Sequence, residues 1–232
     1  MKIGIISDAH GNPSGLLACL NFFKSKQINK IYFLGDAVGY MPDWKGVFEL
    51  LDKFNVICIR GNHDQMALEI ELPKKNTIYN ITQELKVENY NSLKKVEKWP
   101  TSRSIKMQNN NIMFVHGSPW NQLNGYIYPN TDMEKFMKVD EDVVFMGHTH
   151  RPFIKNLGNK LIVNTGSCGL PRDIGSLVSC STYNTETNEC KIHRIPQDIE
   201  NIISIYGSQL HHSVINCLRR NDNNYYGELI DK

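Results

Sequence analysis

The sequence predicts an α/β protein: a parallel sheet built from βαβ units, followed by a second, largely antiparallel set of strands. Three observations carry this expectation. Short apolar runs at Lys2–Ser7, Ile31–Leu34 and Asn55–Ile59 each lead into a polar, glycine-rich loop. Helical spacing separates them, and after Arg103 the strand signals become short and divided by turn residues.

The first helix begins at Asn12-Pro13, an N-cap followed by an N1 proline. Leu16, Leu17, Leu20 and Phe23 then recur at helical spacing to about Lys26. Val47, Leu50, Leu51 and Phe54 mark the second helix. Between Glu69 and Lys98 the chain is charged and rich in asparagine, with Leu85, Tyr90, Leu93 and Val96 spaced as on one or two partly exposed helices. This reads as a cap or insertion near 66–100. Strands are expected at Arg103–Met107 and Ile112–Val115, joined by a turn at Asn109-Asn110-Asn111. Val143–Met146, Ile154–Leu157, Lys160–Val163, Leu177–Thr182 and Lys191–Ile195 complete the second set, with Gly158-Asn159 as a tight turn. Ile199, Ile202, Ile203, Tyr206 and Leu210 suggest a terminal helix. The reading is one domain over 1–220 and a loosely held tail over 221–232.

Composition narrows the function classes. A formal net charge of +2 is too small to attract nucleic acid or an anionic membrane by its field alone, so phosphate recognition must be local. The apolar opening Met1–Ile6 meets Asp8 and His10 at once, too short for a signal-peptide core or a membrane span, which predicts a cytoplasmic chain. Six cysteines lie scattered without a Cys-x-x-Cys pair, which argues against a zinc ribbon or disulfide scaffold. Cys180 and Cys190 flank a turn and are expected to face each other across a hairpin as free thiols.

The chemistry-bearing residues gather in five segments, each after a predicted strand: Asp8-x-His10, Gly35-Asp36, Gly61-Asn62-His63-Asp64, His116-Gly117 and Gly147-His148-Thr149-His150. Five of the eight histidines lie there, so they are not randomly placed surface imidazoles. In Asp-x-His both side chains project to one side of an extended backbone, as chelation requires. Singly, each motif has a bland reading as a loop, a turn or a core histidine. As an ordered set at the carboxyl ends of strands, where α/β sheets bind ligands, they point to one site.

This set resembles the calcineurin-like metallophosphoesterase family, in particular its small bacterial and archaeal phosphodiesterase branch. The likeness rests on Ser7-Asp8-Ala9-His10-Gly11-Asn12, Leu34-Gly35-Asp36 through Pro42-Asp43, and Gly147-His148-Thr149-His150-Arg151-Pro152-Phe153, and it runs from Lys2 to about Arg194. It implies a four-layer α/β/β/α sandwich of two mixed sheets flanked by helices. It also implies that Asp8, His10 and His150 bind one metal, that Asn62, His116 and His148 bind a second, and that Asp36 bridges them. His63 would then be the general acid beside the leaving group.

Carboxylate, amide and imidazole donors without thiolate suit two divalent ions, with manganese preferred and iron, nickel, cobalt or zinc acceptable. Such a pair lowers the pKa of bound water and holds the attacking and leaving oxygens of a displacement. Asp64, at the start of a helix, reads as a structural cap. Asn164-Thr165-Gly166-Ser167 resembles a family segment near the metals, although many members carry proline where Thr165 stands. Arg60, Tyr40 and Arg172 are candidates to meet phosphate or are structural.

The expected substrate is a small phosphomonoester or phosphodiester, such as a nucleotide or dinucleoside polyphosphate. Specificity is expected in 66–100 and 118–131. The alternatives are a protein serine/threonine phosphatase and a non-catalytic scaffold like the retromer subunit of the same family. Ala37-Val38-Gly39-Tyr40 after Asp36 departs from the Asp-x-Val-Asp-Arg-Gly run of the phosphatases. No basic run with interleaved aromatics favours a nuclease.

Overall fold

The computed structural model describes residues 1–69, 78–222 and 224–230. Two mixed sheets face each other. The first has the order β11-β10-β9-β1-β2-β3, and the second the order β4-β5-β6-β8-β7. In the first sheet β1 (Lys2–Ile6), β2 (Ile31–Phe33) and β3 (Ile57–Cys58) are parallel, connected through α1 (Pro13–Ser25) and α2 (Trp44–Lys53). In the second, β5 (Asn110–Val115), β6 (Val143–Met146) and β8 (Lys160–Asn164) are parallel. Their neighbours β4 (Ser102–Met107) and β7 (Phe153–Leu157) run antiparallel at the edges.

Period-2 alternation builds the layers. Ile3, Ile5, Tyr32, Leu34, Ile112, Phe114, Val143, Phe145 and Val163 point between the sheets, where Tyr32 stacks on Phe114 at 4.0 Å between ring centroids. Ile6, Ile31 and Phe33 point to the opposite face of the first sheet, against Leu16, Leu20 and Phe23 of α1 and Val47 and Leu51 of α2. Met113, Val115, Val144 and Ile162 face outward from the second sheet onto Phe136, Ile127 and Met133, a thin layer that includes a 3₁₀ turn at Glu134–Lys138. Because both faces of the parallel strands are covered, those strands read as continuous apolar runs. The expected two-sheet α/β class is therefore the fold. No helix among the described residues is long and apolar enough to cross a membrane.

Several local expectations are corrected. β9 (Leu177–Asn184) and β10 (Cys190–Pro196) do not join the second set: β9 pairs antiparallel with β1 and extends the first sheet. The second sheet is half parallel for that reason. The hairpin turn between β4 and β5 falls on Gln108-Asn109, with positive φ at Gln108, because Met107 pairs with Asn110. Cys180 lies opposite His193 and Cys190 opposite Tyr183, so the two thiols do not face each other, and all six cysteines are free.

Over its described part, the stretch read as a tail is tied down. Glu228–Leu229 forms β11 on β10, Asn221 bridges to Ile174, and Arg151 pairs with Asp222. A further helix, α7 (His212–Leu218), follows α6 (Ile199–Tyr206), and both pack on Tyr40, Met41 and Leu170. In the cap region α3 (Asn62–Glu69), α4 (Gln83–Glu88) and α5 (Tyr90–Val96) are present, while 70–77 of that expectation lie outside the described residues.

One buried ion pair fastens the loop before β9. Arg194, fully buried on β10, grips both carboxylate oxygens of Asp173 at 2.5 and 2.7 Å and also donates to Leu177 O at 2.8 Å. Removing one partner strands the other charge in the core. Asp173→Ala is expected to lower the unfolding free energy by about 3–5 kcal/mol, read from urea denaturation of the purified protein.

Candidate metal centre

The six strands β1, β2, β3, β5, β6 and β8 end at the same edge of the molecule, and their following loops meet there. The backbone of these loops departs from the sequence expectation. Asp8 (φ 58°), His10 (49°), Asp36 (62°), His148 (66°) and His150 (58°) all adopt the left-handed region. Asp-x-His and His-x-His are therefore not extended. Alternate left-handed residues coil the chain tightly, so that side chains two apart converge on one point. Non-glycine residues avoid this region, and its occupation at five site positions is strain held in place by the fold.

Cross-bonds fix the coil. Asp8 N donates to Gly35 O at 2.9 Å, His10 N to Asp36 O at 2.9 Å, and Cys168 N to Ser7 O at 2.8 Å. The Asn164–Ser167 segment braces the same loops. Asn164 Nδ2 donates to Gly147 O at 2.6 Å, Ser167 Oγ to Asp8 O at 2.7 Å, and Thr165 Oγ1 to Ile5 O at 3.1 Å. Thr165 also donates its N–H to Met146 O at 2.9 Å, a bond that proline could not make. Gly61 is required by close approach, since a Cβ there would strike Asp36 Oδ1.

The histidine tautomers follow from their partners. His10 Nδ1 lies 3.0 Å from Val38 O, His116 Nδ1 2.8 Å from Leu34 O, and His150 Nδ1 2.6 Å from Leu170 O. A carbonyl can only accept, so each Nδ1 carries a proton and each Nε2 is the nitrogen aimed inward. These inward nitrogens crowd one another and nearby oxygens. His10 Nε2 and His150 Nε2 are 3.0 Å apart, and His116 Nε2 lies 3.2 Å from His148 Nδ1 and 2.9 Å from Asn62 Oδ1. Asp36 Oδ2 stands between the groups, 3.6 Å from His10 Nε2 and 3.4 Å from His116 Nε2. Asp8 Oδ1 is 3.3 Å from His150 Nε2 and has no hydrogen-bond donor among the described residues.

So many polar atoms turned inward, most of them buried, call for positive charge among them. The donor set fits divalent cations: Asp8, His10 and His150 converge as one group, and Asp36, His116 and His148 as another, with Asn62 against His116. The structure thus brings together every residue the sequence singled out for the metals. His63 is adjacent: its N–H donates to Asp36 Oδ1 at 2.8 Å, and its ring meets those of His10 at 4.8 Å and Tyr40 at 5.1 Å.

The electrostatics express the same demand. Burial alone would raise the Asp8 carboxyl, but His150, His10 and His116 outweigh it and hold it well below the usual range. Asp36 is lowered likewise, burial being overcome by His116 and His63. Burial would depress His116, yet Asp36 and Asp8 lift it to about 9. Burial pushes His148 down to about 3 and His150 to about 4, aided by His116 and Arg172 respectively.

Asp64 is the buried support for Asp36. Its carboxylate accepts from Asp36 N at 2.7 Å, Ala37 N at 2.8 Å, Val38 N at 3.4 Å and Gly61 N at 3.0 Å. Burial and the neighbouring Asp36 push its pKa up to about 7, while those N–H groups pull it down. Since all its contacts are donors, the ionised form is the one the geometry accommodates. It holds two strand-end loops together, more than the helix cap expected from sequence.

Arg60 is structural. Its guanidinium binds Gln65 Oε1 at 2.6 Å, Glu97 O at 2.8 Å and Trp99 O at 3.0 Å, fastening the end of α5. Tyr40 and Arg172 lie at the site, joined by Arg172 Nη2 donating to Tyr40 Oη at 2.9 Å. Two further site aromatics went unmarked in the sequence: Tyr79, 4.7 Å from the His63 ring, and Tyr126, 4.1 Å from the His148 ring. Their only signal was position within 66–100 and 118–131.

A hydrolase of phosphoric esters is the class that this fold and donor set define. The chain belongs to the calcineurin-like phosphoesterase superfamily, whose domain matches residues 1–188. Among its relatives, an uncharacterized protein of Methanocaldococcus jannaschii is 29% identical over 85% of this chain and 88% of its own. A phosphodiesterase of the same organism is 23% identical over 72% and 84% respectively. The crystal structure of a metallophosphoesterase from Sphaerobacter thermophilus superposes with a TM-score of 0.77 at 25% identity, covering 94% of this chain and 98% of that one.

Replacing Asp64 by asparagine puts an amide NH₂ against backbone N–H groups. Asp64→Asn is expected to destabilise the protein by about 2–3 kcal/mol and to lower its metal content, read by urea unfolding and by elemental analysis.

Proposed function

We propose that the protein hydrolyses a small phosphomonoester or phosphodiester at a centre of two divalent cations, manganese being the preferred ion. The observation that carries this reading is the shared position of Asp36 Oδ2 between two groups of inward lone pairs, at 3.6 Å from His10 Nε2 and 3.4 Å from His116 Nε2. Asp8, His10 and His150 would hold one cation and Asn62, His116 and His148 the other, with Asp36 available to both. When bound, such a pair supplies Lewis acidity and lowers the pKa of water. Nitrogen and oxygen donors without thiolate suit manganese, with iron, cobalt, nickel and zinc as other occupants.

The chain's own residues do the rest. The Nδ1–H bonds of His10, His116 and His150 to backbone carbonyls lock each ring with Nε2 aimed inward, where a cation would take the place of any Nε2 proton. His63 is the proton donor to the leaving alkoxide. It sits within reach of Asp36 and His10 as an added ligand would, but the proposed assignment gives each cation four other residues with Asp36 shared, and its buried Nδ1 has no partner among the described residues. In the metal-free protein burial holds its pKa low, at about 3; substrate phosphate beside it supplies the negative charge that favours protonation. Tyr40, packed on His10 and His63, narrows access from that side. Six unpaired cysteines suit a reducing compartment such as the cytosol.

Two variants separate metal binding from proton transfer. His63→Ala is expected to keep two metal equivalents by elemental analysis while kcat on an alkyl phosphate ester falls about 10²–10⁴-fold. Loss of metal with the ring would make His63 a ligand. Asp36→Asn is expected to lose both equivalents together, whereas loss of one alone would show that Asp36 does not bridge.

A further inference from the structure

Two features at the mouth of the centre are left idle by the proposed chemistry. The first is aromatic. Tyr126, in the loop after β5, is 54% exposed although its ring lies 4.1 Å from that of His148. Tyr128, 37% exposed, lies nearly parallel to it, at 6.1 Å and 15°. Elsewhere this fold buries its stacked rings between sheets, as with Tyr32, Phe114 and Phe145. A tyrosine pair half in water, against a candidate metal ligand, is surface kept open at a cost in burial.

The second feature is a cation without a counter-charge. Arg172 hangs from the other arm of the His148–His150 loop, its N–H donating to His150 O at 3.3 Å and its Nη2 to Tyr40 Oη at 2.9 Å. Among the described residues no carboxylate lies within 4.0 Å of its guanidinium; Arg60, Arg103 and Arg220 have none either, but Arg172 is the one whose bond is to Tyr40, which packs on the site histidines. Asp173, the next residue, is clamped by Arg194, so the backbone that carries Arg172 is fixed. Its partner Tyr40 packs on the rings of His10 at 4.7 Å and His150 at 6.3 Å, which places the guanidinium at the rim of the same centre that Tyr126 flanks at His148.

We infer that the substrate is a phosphate ester bearing a planar aromatic ring, as nucleotides do, with the ring packed on Tyr126 and the phosphate gripped by Arg172. The inference rests on the phosphoesterase reading and narrows its substrate class. Arginine meets phosphate with two parallel N–H bonds, and Arg172 retains donors for them after its bond to Tyr40. Stacking on tyrosine accepts any base, because every base has a π-face, so selectivity falls on the presence of the ring rather than on its identity. The net charge of +2 supplies no general attraction for a polymer backbone, and the inference is confined to substrates of mononucleotide size.

The test uses manganese-loaded full-length protein and matched substrates that differ only in the base: adenosine 5′-monophosphate against ribose 5-phosphate, and the methyl ester of each. Wild type is expected to favour the base-bearing member about tenfold in kcat/KM. Tyr126→Ala should bring that ratio close to one, mainly through KM, and Tyr126→Phe should restore it. Arg172→Ala should raise KM for both members of a pair, and Arg172→Lys should recover only part, because lysine lacks the two-pronged fork.

Calorimetric binding of the non-hydrolysable methylenephosphonate of adenosine, against that of ribose, reads the same preference without turnover. If wild type cleaves both members equally, or Tyr126→Ala leaves the ratio unchanged, the inference is overturned while the phosphoesterase reading stands. If no ester is cleaved, the phosphoesterase reading fails, and the binding ratio alone decides the inference: equal affinity for the two phosphonates overturns it.

Discussion

Polar atom against polar atom, in a largely buried cluster, is the contact around which this protein is arranged. His10 Nε2 faces His150 Nε2 at 3.0 Å, and His116 Nε2 faces Asn62 Oδ1 at 2.9 Å, with Asp36 Oδ2 between the pairs. Lone pairs do not approach so closely unless positive charge lies among them. The described arginines near the site do not supply it: Arg60 is tied to α5, Arg194 to Asp173, and Arg172 stands at the rim. Instead, backbone carbonyls of Val38, Leu34 and Leu170 take the Nδ1 protons and so commit the opposite nitrogens to coordination.

The two sheets exist, in functional terms, to bring strand ends together. Loops from the first sheet carry Asp8, His10, Asp36, Asn62 and His63; loops from the second carry His116, His148 and His150. Bonds that cross between them, such as His148 N to Asp8 Oδ2 at 3.0 Å, are short and buried. The left-handed conformations at Asp8, His10, Asp36, His148 and His150 are the local cost of that convergence. It is offset by the apolar layer between the sheets and by Asp64, which binds the Asp36 loop to the start of α3.

Much of this was legible in the residues. The alternation of Ile3 and Ile5 with Gly4 and Ile6, or of Ile112 and Phe114 with Met113 and Val115, marks strands buried on both faces. The ordered Asp, Asn and His motifs at their ends placed the site. What stayed hidden depends on pairing at long range. Nothing local in Leu177–Asn184 says that it runs against β1 rather than β8, since an apolar alternating strand suits either edge. Nor does Asp-x-His reveal a left-handed backbone, because residue type only permits that conformation and the bonds from Gly35, Asp36 and Ser167 impose it. Tyr79 and Tyr126 carry no motif, and their nearness to His63 and His148 is a property of loops folded over the site.

The account stands or falls on cations occupying the space between the two groups of inward donors. Crystals of the manganese-loaded protein, measured on either side of the manganese absorption edge, show this directly. Two anomalous peaks about 3.5–4 Å apart, with Asp36 Oδ2 in contact with both, are the expected result. An anomalous map with no peak among Asp8, His10, Asp36, His116, His148 and His150, or a single peak that leaves one group unligated, would contradict it.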